Sequence, residues 1–121
     1  MGMYTEIYVN VDLKPETPEE ILSVLRAMCT KEQPIKPHKW QYMFNNGSCY
    51  VPQTYCANLT YHPESNIWSL LGKGDIKNYD QEIEQFFAWL MPWIKGDNGD
   101  FIGYVRYEEN QLPDLIVLHN R

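Results

Sequence analysis

The stretch TEIYVNVDL, residues 5–13, constrains the fold of this chain more than any other. Its apolar and polar side chains alternate at every second position. Successive side chains of a β-strand point to opposite faces of a sheet. The alternation therefore predicts a half-buried strand with one face toward a core and one toward water. The wet face holds Glu6, Tyr8, Asn10 and Asp12.

Two segments have the spacing of amphipathic helices. TPEEILSVLRAMC begins with a capping box and a proline at the first helical position, which predicts a helix from about residue 18 to 30. NYDQEIEQFFAWLMPWI predicts a second helix, which Asn78 or Asp80 would cap. Pro92 should kink it or end its regular part near Leu90, because proline lacks the N–H and clashes with the preceding turn.

Further segments read as strands: YCANLTYH at 55–62, IWSLLGKGDI at 67–76, FIGYVRYEE at 101–109 and LPDLIVLHN at 112–120. The order β-α-β-β-α-β-β begins with the ferredoxin-like pattern. We therefore predict an α+β protein, ferredoxin-like β-α-β-β-α-β with an additional C-terminal strand. Its antiparallel sheet should carry two helices on one face, with the first strand central and its wet face open. A chain of 121 residues predicts a single domain, 1–121.

The formal charge of −6 narrows the choice of partners. Residues 61–121 carry five Lys/Arg against ten Asp/Glu, a net of −5. Such a chain repels nucleic-acid phosphates unless its basic residues cluster, so we expect no nucleic-acid partner. IYV and GYVRY resemble parts of the RNA-recognition motifs, but GYVRY follows the second helix instead of preceding it and lacks the leading basic residue. A basic protein or a small ligand fits better.

The glycine-rich stretch LLGKGDIKN does not match a phosphate-binding loop. Gly72 and Gly74 supply only the first pair of a dinucleotide loop, and Asp75 would repel a phosphate. We interpret the glycines as a bulge or a close backbone approach near the end of a strand.

No catalytic or metal-binding motif is present in the sequence. Cys56 and His62 lie too far apart on one strand to share an ion. Glu6, Asp12 and Glu108 are candidate acids without a recognisable partner. We therefore expect a protein that is not an enzyme, with no cofactor and no metal.

The cysteine count and the hydropathy of the chain predict its cellular compartment and whether it crosses a membrane. The odd number of cysteines, three, is typical of a reduced compartment. No apolar stretch approaches the ~18 residues needed to cross a bilayer. We expect a cytoplasmic protein without a membrane partner.

Trp89 lies off the apolar stripe of the second helix and Trp93 lies on its border, so we predict a protein-binding patch. The predicted partner-binding residues are Trp89, Trp93, Glu108 and Glu109. The alternative is that Trp89 packs against the irregular segment 31–53, whose aromatic residues include Trp40, Tyr42 and Phe44.

LLGKGDIKNYDQEIEQFFAWLMPWI and FIGYVRYEE resemble segments of small accessory proteins encoded by bacteriophages and prophages. The resemblance implies action by binding, including the blocking of host defence proteins, in the host cytoplasm. It transfers no residue role.

Three hypotheses follow for the open face. In the first, the chain is a non-enzymatic protein that blocks a surface of a host or viral protein. In the second, the face binds a nucleotide or signalling molecule. In the third, the chain forms a homo-oligomer through this face. The predicted open-face residues are Tyr8, Asn10, Asp12, Tyr104 and Arg106.

Overall fold

The protein is described by a computed structural model at residues 5–30, 40, 44, 57–76, 81–107 and 109–119. Its elements in chain order are β1 (Thr5–Leu13), α1 (Glu19–Thr30), β2 (Ala57–His62), β3 (Ile67–Ile76), α2 (Glu82–Leu90), a 3₁₀ turn (Met91–Trp93), β4 (Ile94–Lys95), β5 (Phe101–Tyr107) and β6 (Asp114–Val117). The described residues therefore form an α+β fold with two α-helices and six strands.

The sheet is antiparallel at every pairing, and its strand order is β2-β3-β1-β5-β6. The prediction that β1 is central is confirmed, because β3 and β5 pair with its two edges. The predicted number of strands is wrong. Ile94–Lys95 pair with the end of β1 and make the sheet six-stranded. Two residues directly after a 3₁₀ turn are too few to show a period of two.

The helices begin and end close to their predicted positions. At the start of α1 the Thr17 hydroxyl donates to the Lys14 carbonyl at 2.6 Å, which closes the turn between β1 and the helix. The regular part of α2 ends at Leu90 and Pro92 lies in the 3₁₀ turn, as predicted. Gln81 occupies the N-cap position of α2, while the predicted caps at 78 and 80 lie outside the described residues.

The core lies between the helices and one face of the sheet. The odd-numbered side chains of β1 are buried, and they form one hydrophobic cluster with the buried side chains of both helices. The helical members are Leu22, Leu25, Met28, Ile83, Phe86, Phe87 and Leu90. Burying a side chain of this kind contributes about 1.5–3 kcal/mol. Both helices therefore cover the same face, and the even-numbered side chains of β1 are left on the other.

Two buried glycines permit close packing. A Cβ on Gly72 would lie 2.9 Å from Cζ of Phe44, so this glycine makes room for a fully buried ring. A Cβ on Gly103 would lie 2.1 Å from the carbonyl oxygen of Tyr8, beside the irregular pairing of β5 with β6. The close neighbour of Gly72 is therefore an aromatic side chain and not the predicted backbone, and the register of β3 against β1 passes through Gly72 and Gly74 without a bulge.

Candidate functional site

The face of the sheet opposite the helices, called the open face below, gathers side chains from all six strands. Directly opposed residues in an antiparallel pair share a face, so the register assigns its members. By register they are Glu6, Tyr8, Asn10, Asp12, Asn58, Thr60, His62, Ile67, Ser69, Leu71, Lys73, Asp75, Lys95, Phe101, Tyr104, Arg106, Leu115 and Val117. The buried side chains of α1 and α2 pack on the other face.

An aromatic row crosses the middle of the open face. The ring of Tyr8 stacks on Tyr104 at a centroid distance of 5.3 Å and on Phe101 at 6.4 Å. The side-chain amide of Asn10 donates to the Tyr8 hydroxyl at 3.2 Å. Leu71 and Leu115 flank the row on the neighbouring strands.

The apolar members of the open face are more exposed than is usual for side chains of their size. Phe101 is 51% exposed, Leu71 is 49% exposed and Leu115 is 65% exposed. Scattered exposed apolar residues are common, but a contiguous patch on a sheet face marks an interaction surface. The row and its two leucines form such a patch.

Glu6 is the centre of the charged part of the open face. Its carboxylate accepts a hydrogen bond of 2.5 Å from the Tyr104 hydroxyl. Arg106 Nε donates to it at 3.4 Å, and Lys73 Nζ lies 3.3 Å away. The Glu6 side chain is only 14% exposed. We call Glu6, Lys73, Tyr104 and Arg106 the Glu6 hub.

The hub changes the pKa values of its members. Partial burial raises the pKa of Glu6, but the hydrogen bonds from Tyr104, Lys73 and Arg106 and the charge of Lys73 outweigh this effect. The pKa of Glu6 is therefore below its ordinary value, and the carboxylate is charged at neutral pH. Burial, followed by the hydrogen bond to Glu6 and its negative charge, raises the pKa of Tyr104 to about 12.

A chain of polar side chains lies at the other end of the open face. The Ser69 hydroxyl donates to Asp12 at 2.5 Å, and Nε2 of His62 lies 3.0 Å from the same hydroxyl oxygen. In a catalytic triad the carboxylate binds the imidazole and the imidazole binds the serine. Here the carboxylate binds the serine directly, and both Asp12 and His62 are exposed. This arrangement does not activate the serine in the manner of a triad.

The five predicted open-face residues, Tyr8, Asn10, Asp12, Tyr104 and Arg106, all lie on that face. The predicted binding set omitted three exposed apolar residues, Leu71, Phe101 and Leu115, and the charged residue Lys73. Glu6 was predicted on the open face but not among the binding residues. The sequence could have placed the β3 residues together, because Ser69, Leu71 and Lys73 occupy every second position and therefore share one face of a strand. Only the register of β3 against β1 places Lys73 beside Glu6.

Of the predicted partner-binding residues that the structure describes, Glu109 and Trp93 lie at opposite ends of β1. Trp89 is half-buried and its ring lies 4.8 Å from that of Trp40, which corresponds to the alternative of packing against segment 31–53. Trp93 lies beyond the Leu13 end of β1, where its carbonyl accepts from the N–H of Lys14. Exposed Glu109 follows β5 at the opposite end, and Glu108 lies outside the described residues.

Among the residues that the structure describes, no three His, Cys, Asp or Glu side chains lie close enough to hold a metal ion. The described helices include none that is long and apolar enough to span a membrane.

The fold and the open face define an α+β protein whose antiparallel sheet has one face on which neither of the described helices packs. Comparison with protein-family models, curated proteins and solved structures found no match to this chain.

Proposed function

We propose that this chain is a non-enzymatic binding protein and that the open face contacts its protein partner. The observation that carries the proposal is the exposed aromatic row with its flanking leucines. These side chains stand on a hydrogen-bonded sheet, so little conformational entropy is lost when a partner orders them. Aromatic side chains are enriched at the centres of protein interfaces.

The charges of the open face favour a protein partner over a small anionic ligand. Arg106 was the main support for a nucleotide or signalling-molecule site. Its Nε donates to Glu6, and its Nη1 donates to the Asn110 carbonyl at 2.9 Å. A phosphate would have to displace these bonds and approach the Glu6 carboxylate. A flat apolar surface with internally paired charges is better matched to another protein.

We propose further that the chain is encoded by a phage or prophage and blocks a surface of a host protein, such as a defence component. The resemblance of residues 70–94 and 101–109 to phage accessory proteins supports this origin. The acidic composition supports a basic partner. Electrostatic attraction would then raise the association rate and make it fall with salt.

A ferredoxin-like topology for β1–α1–β2–β3–α2–β5 belongs to the same proposal. The strand order β2-β3-β1-β5 and the antiparallel pairings support it, and β4 and β6 would be additions. Ferredoxin-like sheets leave one face free of helices, which fits an open binding face.

A capture experiment with two matched variants tests the proposal. Phe101 and Tyr107 are exposed aromatic residues on opposite faces of β5. Immobilised wild type, Phe101→Ala and Tyr107→Ala are incubated with a bacterial lysate, and the recovered proteins are quantified by mass spectrometry. We expect Phe101→Ala to reduce recovery of the specific partner at least tenfold, and Tyr107→Ala to retain it.

Equal recovery by Phe101→Ala and wild type would contradict the role of the open face. Repeating the capture at high salt tests the charge argument separately, because recovery of a basic partner should decrease. A thermal-shift screen with nucleotides tests the small-ligand alternative. A clear stabilisation that Arg106→Gln abolishes would favour that alternative.

A further inference from the structure

Charge is distributed unevenly between the open face and the rest of the described surface. On the open face three cations, Lys73, Lys95 and Arg106, accompany three carboxylates, Glu6, Asp12 and, by its register opposite Glu6, Asp75. Elsewhere in the described residues, two cations, Lys14 and Arg26, accompany ten carboxylates: Glu16, Glu19, Glu20, Glu64, Glu82, Glu84, Asp97, Asp100, Glu109 and Asp114. The open face is close to charge balance, while the remaining described surface is strongly acidic.

This distribution determines which approach of two identical chains is least repulsive. Two copies, each with a net charge of −6, repel one another at low salt. The repulsion is smallest when the balanced faces meet and the acidic surfaces point away. The apolar patch lies on this same face, so the most favourable apolar contact and the weakest repulsion coincide.

The open face has an area at the lower end of the range for protein interfaces. Its five adjacent strands, β2, β3, β1, β5 and β6, contain 6, 10, 9, 7 and 4 residues. At about 3.3 Å per residue and about 4.8 Å between strands, their flat projection is about 570 Å², against the roughly 800 Å² per partner of a standard interface. Two sheets that pack face to face also give a familiar arrangement, with a separation of about 10 Å.

We propose that the open face docks a second copy of this chain, giving a face-to-face dimer with its acidic surfaces outward. The dimer rests on the proposed function only in that both use the open face. A partner protein at that face would have to displace the second copy. Self-association therefore limits the fraction of chains that are free to bind a partner.

The salt dependence of the dimer separates it from binding of a basic partner. Added salt screens the repulsion between two acidic copies, so self-association should strengthen as salt increases. Attraction to a basic partner should instead weaken. We expect the dimer dissociation constant to fall roughly tenfold between 20 mM and 500 mM salt.

Analytical ultracentrifugation of the purified chain over a range of concentrations and salt tests this inference. Leu71→Lys adds a cation to the open face, while Leu112→Lys makes the same change at a leucine that is 79% exposed in the loop after β5. We expect Leu71→Lys to raise the dissociation constant at least tenfold and Leu112→Lys to leave it within twofold. Circular dichroism verifies folding, and Leu115→Lys replaces Leu71→Lys if that variant does not fold.

The inference is overturned if the wild type stays monomeric at every concentration and salt, if both lysine variants dissociate equally, or if association weakens with salt. If the wild type is monomeric but Phe101→Ala still abolishes capture of the partner protein, only the dimer is overturned. If the dimer forms and strengthens with salt but Phe101→Ala reduces the capture of no partner, only the proposed function is overturned.

Discussion

The Glu6 hub predicts a specific loss of stability when its charge is removed. Glu6→Gln keeps an acceptor for the Tyr104 hydroxyl but removes the negative charge. A hydrogen bond to a charged group contributes about 1.5–3 kcal/mol, against about 0.5–1.5 kcal/mol for a neutral one. Lys73 and Arg106 have side chains 44% and 33% exposed, so their ion pairs add only about 0.2–1 kcal/mol each.

Glu6→Gln also removes the desolvation cost of a partly buried charge, which offsets part of this loss. We therefore expect Glu6→Gln to lower the free energy of unfolding by about 1–2 kcal/mol at pH 7. Urea unfolding followed by far-UV circular dichroism measures this value. A cycle with Tyr104→Phe should give a coupling of about 1 kcal/mol, because both changes remove the same charged hydrogen bond. Tyr61→Phe, which removes a bond to neutral, exposed Asn66, is the control.

The pH dependence supplies a second signature of the hub. The folded pKa of Glu6 is below its ordinary value of 4.5, so the unfolded chain binds the proton more readily. The stabilisation is complete above the ordinary value and is lost as pH falls through the folded pKa. The difference between wild type and Glu6→Gln should therefore shrink below pH 4.5. A difference under about 0.3 kcal/mol at pH 7, or one that grows with acidity, would refute the reasoning.

Three further predictions concern the core. Gly103→Ala should destabilise the fold by about 3 kcal/mol or more in urea unfolding, because its Cβ would lie 2.1 Å from the Tyr8 carbonyl oxygen; a change below 1 kcal/mol would be contrary to this packing. Gly72→Ala should cost about 1–3 kcal/mol, and Phe44→Leu in the same chain should recover part of that cost by removing the ring; additive losses would contradict the contact. Burial raises the pKa of the Cys29 thiol to about 12, so iodoacetamide should label it at pH 8 at least about a hundredfold more slowly in the folded chain than in urea, in a variant whose other two cysteines are serine; equal rates would contradict its burial.

Local patterns in the sequence predicted the elements that depend on neighbouring residues. The alternation of residues 5–13 identified β1 and its polar face, and Pro92 identified the end of α2. β4 could not be predicted, because Ile94–Lys95 become a strand only through pairing with Asp12 and Leu13. Their strand conformation is a property of the assembled sheet.

The candidate site shows the same division between local and long-range information. The alternation of side chains along each strand placed Tyr8 and Tyr104 on polar strand faces. Their stacking depends on the register that pairs β1 with β5. Helical geometry placed Trp89 off the apolar stripe. It could not identify the ring that Trp89 contacts, because Trp40 is 49 positions earlier in the chain (89 − 40). The spacing of Gly72 and Gly74 excluded a phosphate loop, while the reason for Gly72 lies in a ring from another segment.

Hydroxyl-radical footprinting tests most directly whether the open face is a binding surface. Oxidation is measured for the free, dilute chain and for the chain bound to its captured partner or at high concentration. Phe101, Leu71 and Leu115 report on the open face, whereas Tyr107 and Leu112 are exposed elsewhere. We predict at least threefold protection of the first three residues, with the other two unchanged. Protection of Tyr107 and Leu112 while the open face stays reactive would contradict the account.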